Sequence, residues 1–342
     1  MGRGHNVISA GATDHVRRRA AAPRIGLIIN VRARANQHHP DRLRVLARMI
    51  GRHDQLATTR SIEELEQACA QLASDRPEIV AICGGDGTLH QTLTALIRSY
   101  GDRPLPAIAI LRGGAMNIVA TSLGIHGHPV DHLRALVELK RRGGLASLPA
   151  SSRFAHPLLQ IGDRYGFMFG AGVIHDFLEA YYATGRPSPL TAARLLLRAA
   201  ASTLVGGPLS KQLCQPVHAH VVTDGRVWPR DQFAALCAAT IEQIGLGFRP
   251  FYRCREDAER FSVLGIDTSP LGLLRELPRV RAGKPMHPSK VIDEIAREVT
   301  IASADHRALG YMIDGDLYAC DGALTILRGP VLELVRLGSP HG

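Results

Sequence analysis

The stretch from Glu78 to Leu96, EIVAICGGDGTLHQTLTAL, constrains this chain more than any other. The apolar run Ile79 to Cys83 reads as a strand buried on both faces, and Gly84-Gly85-Asp86-Gly87-Thr88 breaks it. A helix follows at once, with Leu89, Leu93, Leu96 and Ile97 at helical spacing and Thr88 placed to cap its first turn. Glycines where a strand hands over to a helix N-terminus let an anion approach the backbone. The exposed N–H groups and the helix dipole both favour negative charge, so the site suits phosphate. Asp86 is the unusual member of the loop. A carboxylate there repels phosphate unless Mg2+ is shared between them, and otherwise it is placed to take a proton from an incoming hydroxyl or to close a local Asx-turn.

The neighbouring segments supply the rest of a sheet. Arg24 to Asn30 reads as the first buried strand, and Val31 to Asn36 as a basic, polar loop before a helix from Pro40 to Gly51. Leu56 to Thr59 is a short strand, and Ser61 with Glu64 opens a helix over Ile62 to Ala73 with a capping box. Ala107 to Leu111 is a further buried strand that runs into a second glycine turn, Arg112-Gly113-Gly114-Ala115-Met116-Asn117. Strands alternating with helices argue for a parallel, helix-covered sheet, and loops at its carboxyl edge are where ligands bind. Asn30 and Arg34 in the first loop are therefore candidates to hold outer phosphates. Asn117 either bonds a nucleotide's adenine or ribose or caps the short helix after it.

A helix over Val130 to Lys140 leads to the linker Arg141-Arg142-Gly143-Gly144, where we place a domain boundary. Beyond it, Pro157 to Ile161, Tyr165 to Phe169, His218 to Thr223 and Phe233 to Thr240 read as strands of a β-sandwich. One helical interlude, Asp176 to Gly206, carries Tyr181, Tyr182, Leu190 and Leu195 to Leu197 beside Arg186, Arg194 and Arg198. It reads as a core helix, as the lining of an acyl-chain pocket, or as a face that rests on a membrane. Late in the chain, Tyr311 to Tyr318 brings Asp314 and Asp316 to a tight bend at Gly315. Leu324 to Leu327 and Leu332 to Val335 are the last strands. Residues 1–23 show neither periodicity and read as a flexible basic tail.

Composition narrows the partners. Six scattered cysteines without a CxxC pair argue against zinc and a disulfide framework, and fit a reducing cytoplasm. No apolar run reaches the roughly 20 residues that span a bilayer. A net charge of +10 attracts acidic partners, but with aromatics only 5% and the arginines dispersed, nucleic acid is not expected. Peripheral contact with an anionic membrane fits better. A homodimer stays open.

The GGDGT string after an apolar strand resembles the nucleotide-binding loop shared by diacylglycerol kinases, sphingosine kinases, NAD kinases and phosphofructokinases. The second glycine turn with Leu123-Gly124-Ile125, the Gly170-Ala171-Gly172 segment and the late Asp-Gly-Asp are similar to the diacylglycerol and sphingosine kinase members. Val31, Ala115 and Asp316 depart from the lipid-kinase pattern, which has proline, threonine and glutamate there. The resemblance runs from about Arg24 to Val335. It implies an α/β plus all-β chain, with a three-layer α/β nucleotide-binding domain over 24–144, completed by 328–338, and a β-sandwich lipid-substrate domain over 145–327. It further implies ATP and Mg2+, with Gly84, Gly85, Gly87, Thr88 and Gly114 around the phosphates and Asp86 acting through the metal. Asp316 would be the general base and Asp314 its orienting partner, with Asp86 as the alternative base. The lipid would be a diacylglycerol or a sphingoid or ceramide-like molecule. An NAD kinase and a non-catalytic lipid- or nucleotide-binding protein on the same scaffold are the rivals.

Overall fold

Strand and helix alternate from the start of the structure, a computed structural model that describes residues 24–51, 53–185, 188–305 and 307–337. The expected tail over 1–23 lies outside the described residues, as does Arg186. The first part runs β1 (Ile25–Asn30), α1 (Arg34–His38), α2 (Pro40–Met49), β2 (Gln55–Thr59), α3 (Ile62–Asp75), β3 (Ile79–Gly84), α4 (Asp86–Tyr100), β4 (Ala107–Arg112), α5 (Ile118–Ser122) and α6 (Pro129–Arg141). β2, β1, β3 and β4 pair in parallel in that order. Strand alternation sends Ile79, Ala81 and Cys83 of β3 to one face, among Leu46 of α2 and Leu133 and Leu136 of α6. Val80 and Ile82 go to the other, among Leu65 and Cys69 of α3 and Leu93 of α4. Buried on both faces, β3 has to be apolar at every position, which is why it was readable.

The second part runs β5 (Arg153–Ile161), β6 (Arg164–Gly166), β7 (Met168–Gly172), α7 (Val173–Ala183), α8 (Pro189–Leu204), α9 (Pro208–Leu213), β8 (Val217–Thr223), β9 (Arg226–Val227), β10 (Gln232–Phe233) and β11 (Ala235–Ala239). It continues through β12 (Phe261–Ile266), α10 (Pro270–Arg281), β13 (Val291–Ala296), β14 (Glu298–Ser303), β15 (Leu309–Ile313), β16 (Asp316–Cys320) and β17 (Ala323–Val335). The single helical interlude expected over 176–206 is two helices, α7 and α8; α9 and α10 are two more that the pattern does not announce, and α1 begins inside the loop expected over 31–36. A six-stranded antiparallel sheet, β13-β12-β11-β7-β15-β16, faces the antiparallel half of a larger sheet. Phe169, Leu236, Val263 and Tyr311 from one side meet Leu159, Val221, Val299 and Ile326 from the other in a shared core.

The two parts are joined by β17. It pairs antiparallel with β14 and β5, and its last residues, Leu334 and Val335, pair in parallel with Ile108 and Ala109 of β4. The eleven-stranded sheet is therefore continuous across the expected boundary. The sequence pattern suggested two short strands because register shifts between Arg328 and Val331, around Gly329 and Pro330, and proline has no N–H to give the ladder. Among the described residues, no helix is long and apolar enough to cross a membrane.

Candidate active site

A cavity of about 680 Å3 opens at the carboxyl edge of the parallel strands, between the two parts of the chain. Asn30, Arg34, Gly85, Asp86, Gly87 and Thr88 line it from the first part, with Gly114, and Asp314 and Asp316 line it from the β15–β16 turn. Of the residues singled out in the sequence, Gly84 and Asn117 stand off its wall.

The glycines are required by close approach. A Cβ on Gly114 would strike the backbone of Gly85, so the two glycine turns lie directly against each other. A Cβ on Gly87 would fall on Oδ1 of Asp316. The late acidic turn is thus packed onto the GGDGT loop.

That turn is built by its own sequence. Asp314 and Gly315 have φ of 46° and 100°, and Ile313 pairs with Asp316 across them, the two-residue hairpin that Asp-Gly favours. The Asp314 carboxylate is buried and accepts from the N–H groups of Phe167, at 2.9 Å, and Met168, also at 2.9 Å. Burial pushes its pKa well above the usual carboxylate range, with the charge of Asp86 adding to the rise. Asp314 anchors the hairpin to the neighbouring strand. It is coupled to Asp316 through the turn and through the repulsion of their charges.

Asp86 also has a local task. Its two oxygens accept from the N–H groups of Ile118 at 2.9 Å and Val119 at 3.0 Å, so Asp86 caps α5 from across the sheet edge. Burial raises its pKa, and those two N–H groups oppose the rise. Asn117, one of whose readings was this cap, has φ of 50°, and its amide folds back onto Gly114, accepting from the N–H and donating to the C=O at 3.0 Å each. Nor does Thr88 cap α4, because Gly85 is the N-cap and Thr88 lies inside the first turn. Its hydroxyl accepts from the Asn30 amide at 2.8 Å, which ties the first loop to the glycine loop. Asn36 is buried and holds the loop from below, donating to the carbonyls of Asn30 and Cys83.

Asp316 is held by residues that no sequence motif marks. Gln91 donates to Asp316 Oδ2 at 2.9 Å and to the Tyr318 hydroxyl oxygen at 2.6 Å. Tyr318 in turn meets Nε2 of His90 at 2.9 Å, while Nδ1 of His90 meets the Tyr165 carbonyl at 2.7 Å. A carbonyl only accepts, so Nδ1 carries the proton and Nε2 takes the Tyr318 O–H. Burial lowers the pKa of His90, which keeps it neutral, and raises that of Tyr318 to about 12. The clue was spacing: Gln91 is one helical turn beyond Gly87 and shares its face.

Charges of both signs line the cavity. Arg32, Arg34 and Arg60 are among the lining residues, and among the described residues none of their guanidinium groups has an ion pair. Asp86, Asp314, Asp316 and Glu63 line it too, with Tyr181, whose buried hydroxyl has no hydrogen-bond partner among the described residues, and Tyr182, which donates to the Gly315 carbonyl at 2.8 Å. Backbone N–H groups, unpaired arginines and flanking glycines fit a polyphosphate. Among the described residues no group of three or more His, Cys, Asp or Glu side chains is placed to hold a metal. The residues present fit Mg2+ only as an ion shared with phosphate oxygens and one or two carboxylates.

Residues 24–144 match the family model described as the diacylglycerol kinase catalytic domain. No curated protein matches the chain. Among solved structures, a diacylglycerol kinase from Bacillus anthracis str. Sterne superposes with a TM-score of 0.60 at 12% identity, over 92% of this chain and 97% of that one. A second protein of that organism, described as a candidate diacylglycerol kinase, gives 0.66 at 13% identity over 93% and 98% of the two chains. At such identities the two structures establish the fold, an α/β domain with a parallel sheet followed by an antiparallel sheet domain.

Proposed function

We propose that this chain, a diacylglycerol-kinase-type catalytic domain joined to a β-sandwich, transfers the γ-phosphoryl group of ATP to a lipid hydroxyl. One observation carries the reading: the Asp316 carboxylate lies directly on Gly87 of the glycine loop, within the cavity that the loop lines. A base and a phosphate cradle are thereby within reach of one reacting group. Phosphoryl transfer depends on positioning and charge neutralisation more than on covalent chemistry, and both can be assigned to named residues.

In this mechanism the N–H groups of the Gly85–Thr88 turn bind phosphate oxygens, and Arg32, Arg34 and Arg60 offset their charge. Asn30 holds Thr88 in place and so sets the shape of the loop. Asp316 accepts the proton of the lipid hydroxyl. Gln91 fixes its Oδ2, which leaves Oδ1 over the loop as the accepting atom. Asp314 keeps its hairpin rigid, and Asp86 keeps α5 and the second glycine turn closed against the first. Mg2+, bound with the nucleotide, would supply neutralisation of the charge developing on the phosphates. The shorter aspartate in place of glutamate brings the hydroxyl one methylene closer to the loop.

The experiment is transfer of labelled γ-phosphate from ATP to diacylglycerol, monoacylglycerol, a sphingoid base, ceramide and NAD. The reading predicts a phosphorylated lipid and unmodified NAD. Phosphorylation of NAD alone would identify the rival enzyme, and no transfer to any acceptor would leave a binding protein.

A further inference from the structure

We propose that the outer face of α8 docks on an anionic lipid bilayer and sets the mouth of the cavity against it. Leu190, Leu197 and Leu204 are 59%, 70% and 69% exposed, and Val205 just beyond the helix is 81% exposed. At 100° per residue these four positions and the exposed Arg194 and Arg198 fall within an arc of about 120°. The opposite face is buried, with Ala192 and Leu195 packed on Tyr181 of α7. Tyr181 lines the cavity, so α8 packs its inner side on the helix that forms the wall, and no described residue covers its outer side.

Charge selects the occupant. The helix sequence PLTAARLLLRAAASTL contains no acid, and among the described residues neither Arg194 nor Arg198 has an ion pair. Leucines with interspersed arginines on one arc match an interface in which acyl chains lie beneath anionic headgroups. The chain's own first 23 residues are a poor cover, with Arg3, Arg17, Arg18 and Arg19 against Asp14 alone. Rested on the lipid-kinase reading, the placement has a purpose: a substrate anchored by its acyl chains would present its hydroxyl beside α7, toward Asp316.

The test is co-sedimentation of the full chain with phosphatidylcholine vesicles, with and without phosphatidylglycerol. Wild type should bind the anionic vesicles, and Leu197→Asp should weaken that binding by at least about tenfold. Arg194→Glu with Arg198→Glu should abolish the preference for phosphatidylglycerol. Thermal unfolding of each variant checks the fold, and all should phosphorylate a short-chain lipid in detergent as wild type does. Equal vesicle binding by folded variants and wild type would overturn the proposal. A Leu197→Asp variant that instead splits a dimer, with vesicle binding unchanged, would assign the face to a second copy and overturn it equally. Vesicle binding needs no catalysis, so docking without phosphorylation of any lipid would count against the kinase reading alone. Phosphorylation in detergent without docking would count against this one.

Discussion

Replacing Gly87 with alanine separates the catalytic claim from the fold. Gly87 lies in the first turn of α4 and is not among the positive-φ glycines, so its backbone suits alanine. In a helix, alanine is favoured over glycine by up to about 1 kcal/mol. The new Cβ falls on Oδ1 of Asp316, and restoring ordinary van der Waals contact requires the carboxylate to retreat by about 1 Å. Gln91 resists that retreat through its 2.9 Å bond to Oδ2. A misplacement of about 1 Å in a reacting group costs about 10²-fold in rate, or about 2.7 kcal/mol of barrier. Gly87→Ala should therefore melt at or above the wild-type temperature by calorimetry while its kcat for γ-phosphoryl transfer falls about 10²-fold. The N–H of residue 87 is retained, so nucleotide affinity should change little. A folded variant with wild-type kcat would refute the argument that Asp316 must sit against the loop.

Three further outcomes follow from the same geometry. Asp86→Asn replaces one oxygen facing the N–H groups of Ile118 and Val119 with a donor, and should lower unfolding free energy in urea by about 0.5 to 2 kcal/mol; an unmoved midpoint would remove the capping role. Gln91→Leu releases both Asp316 Oδ2 and the Tyr318 hydroxyl, and should cut kcat by about tenfold or more with KM for ATP little changed; a rise in KM at constant kcat would place Gln91 in nucleotide binding instead. His156, whose buried Nε2 has no hydrogen-bond partner among the described residues, has its pKa lowered to about 4 by burial, with Arg255 adding to the effect. The fold thus favours its neutral form, and the contribution is complete above the unfolded pKa of about 6.5 and lost as pH falls toward about 4, up to about 3 kcal/mol in all. His156→Phe should flatten the decline in stability over that window, and parallel curves for the two proteins would contradict the assignment.

The parts of the fold that were legible are those written locally. β1, β3 and β4 are apolar at nearly every position because helices cover both their faces, and Asp314-Gly315 announces its turn because both residues take positive φ. What was hidden depends on residues far apart in sequence. β17 looked like two strands because nothing near Gly329 tells that its end pairs with β4. Asp86 was read against phosphate, yet its nearest partners are the N–H groups of Ile118 and Val119, which only the sheet brings to it. Asn30 and Thr88 both line the cavity, and nothing local in the sequence announces the bond between them. Gln91 sits 225 positions from the carboxylate it holds, and no local pattern connects them. The glycine loops show where a site must lie, whereas its working contacts are set by packing.

The central claim is that Asp316 and the glycine loop serve one reaction. Its most direct test is single-turnover transfer from ATP to the best lipid acceptor by Asp316→Asn, with ATP affinity measured alongside by calorimetric titration. The account predicts ATP affinity close to wild type and a transfer rate lower by about 10² to 10⁴-fold. Transfer at the wild-type rate by the folded variant would contradict it.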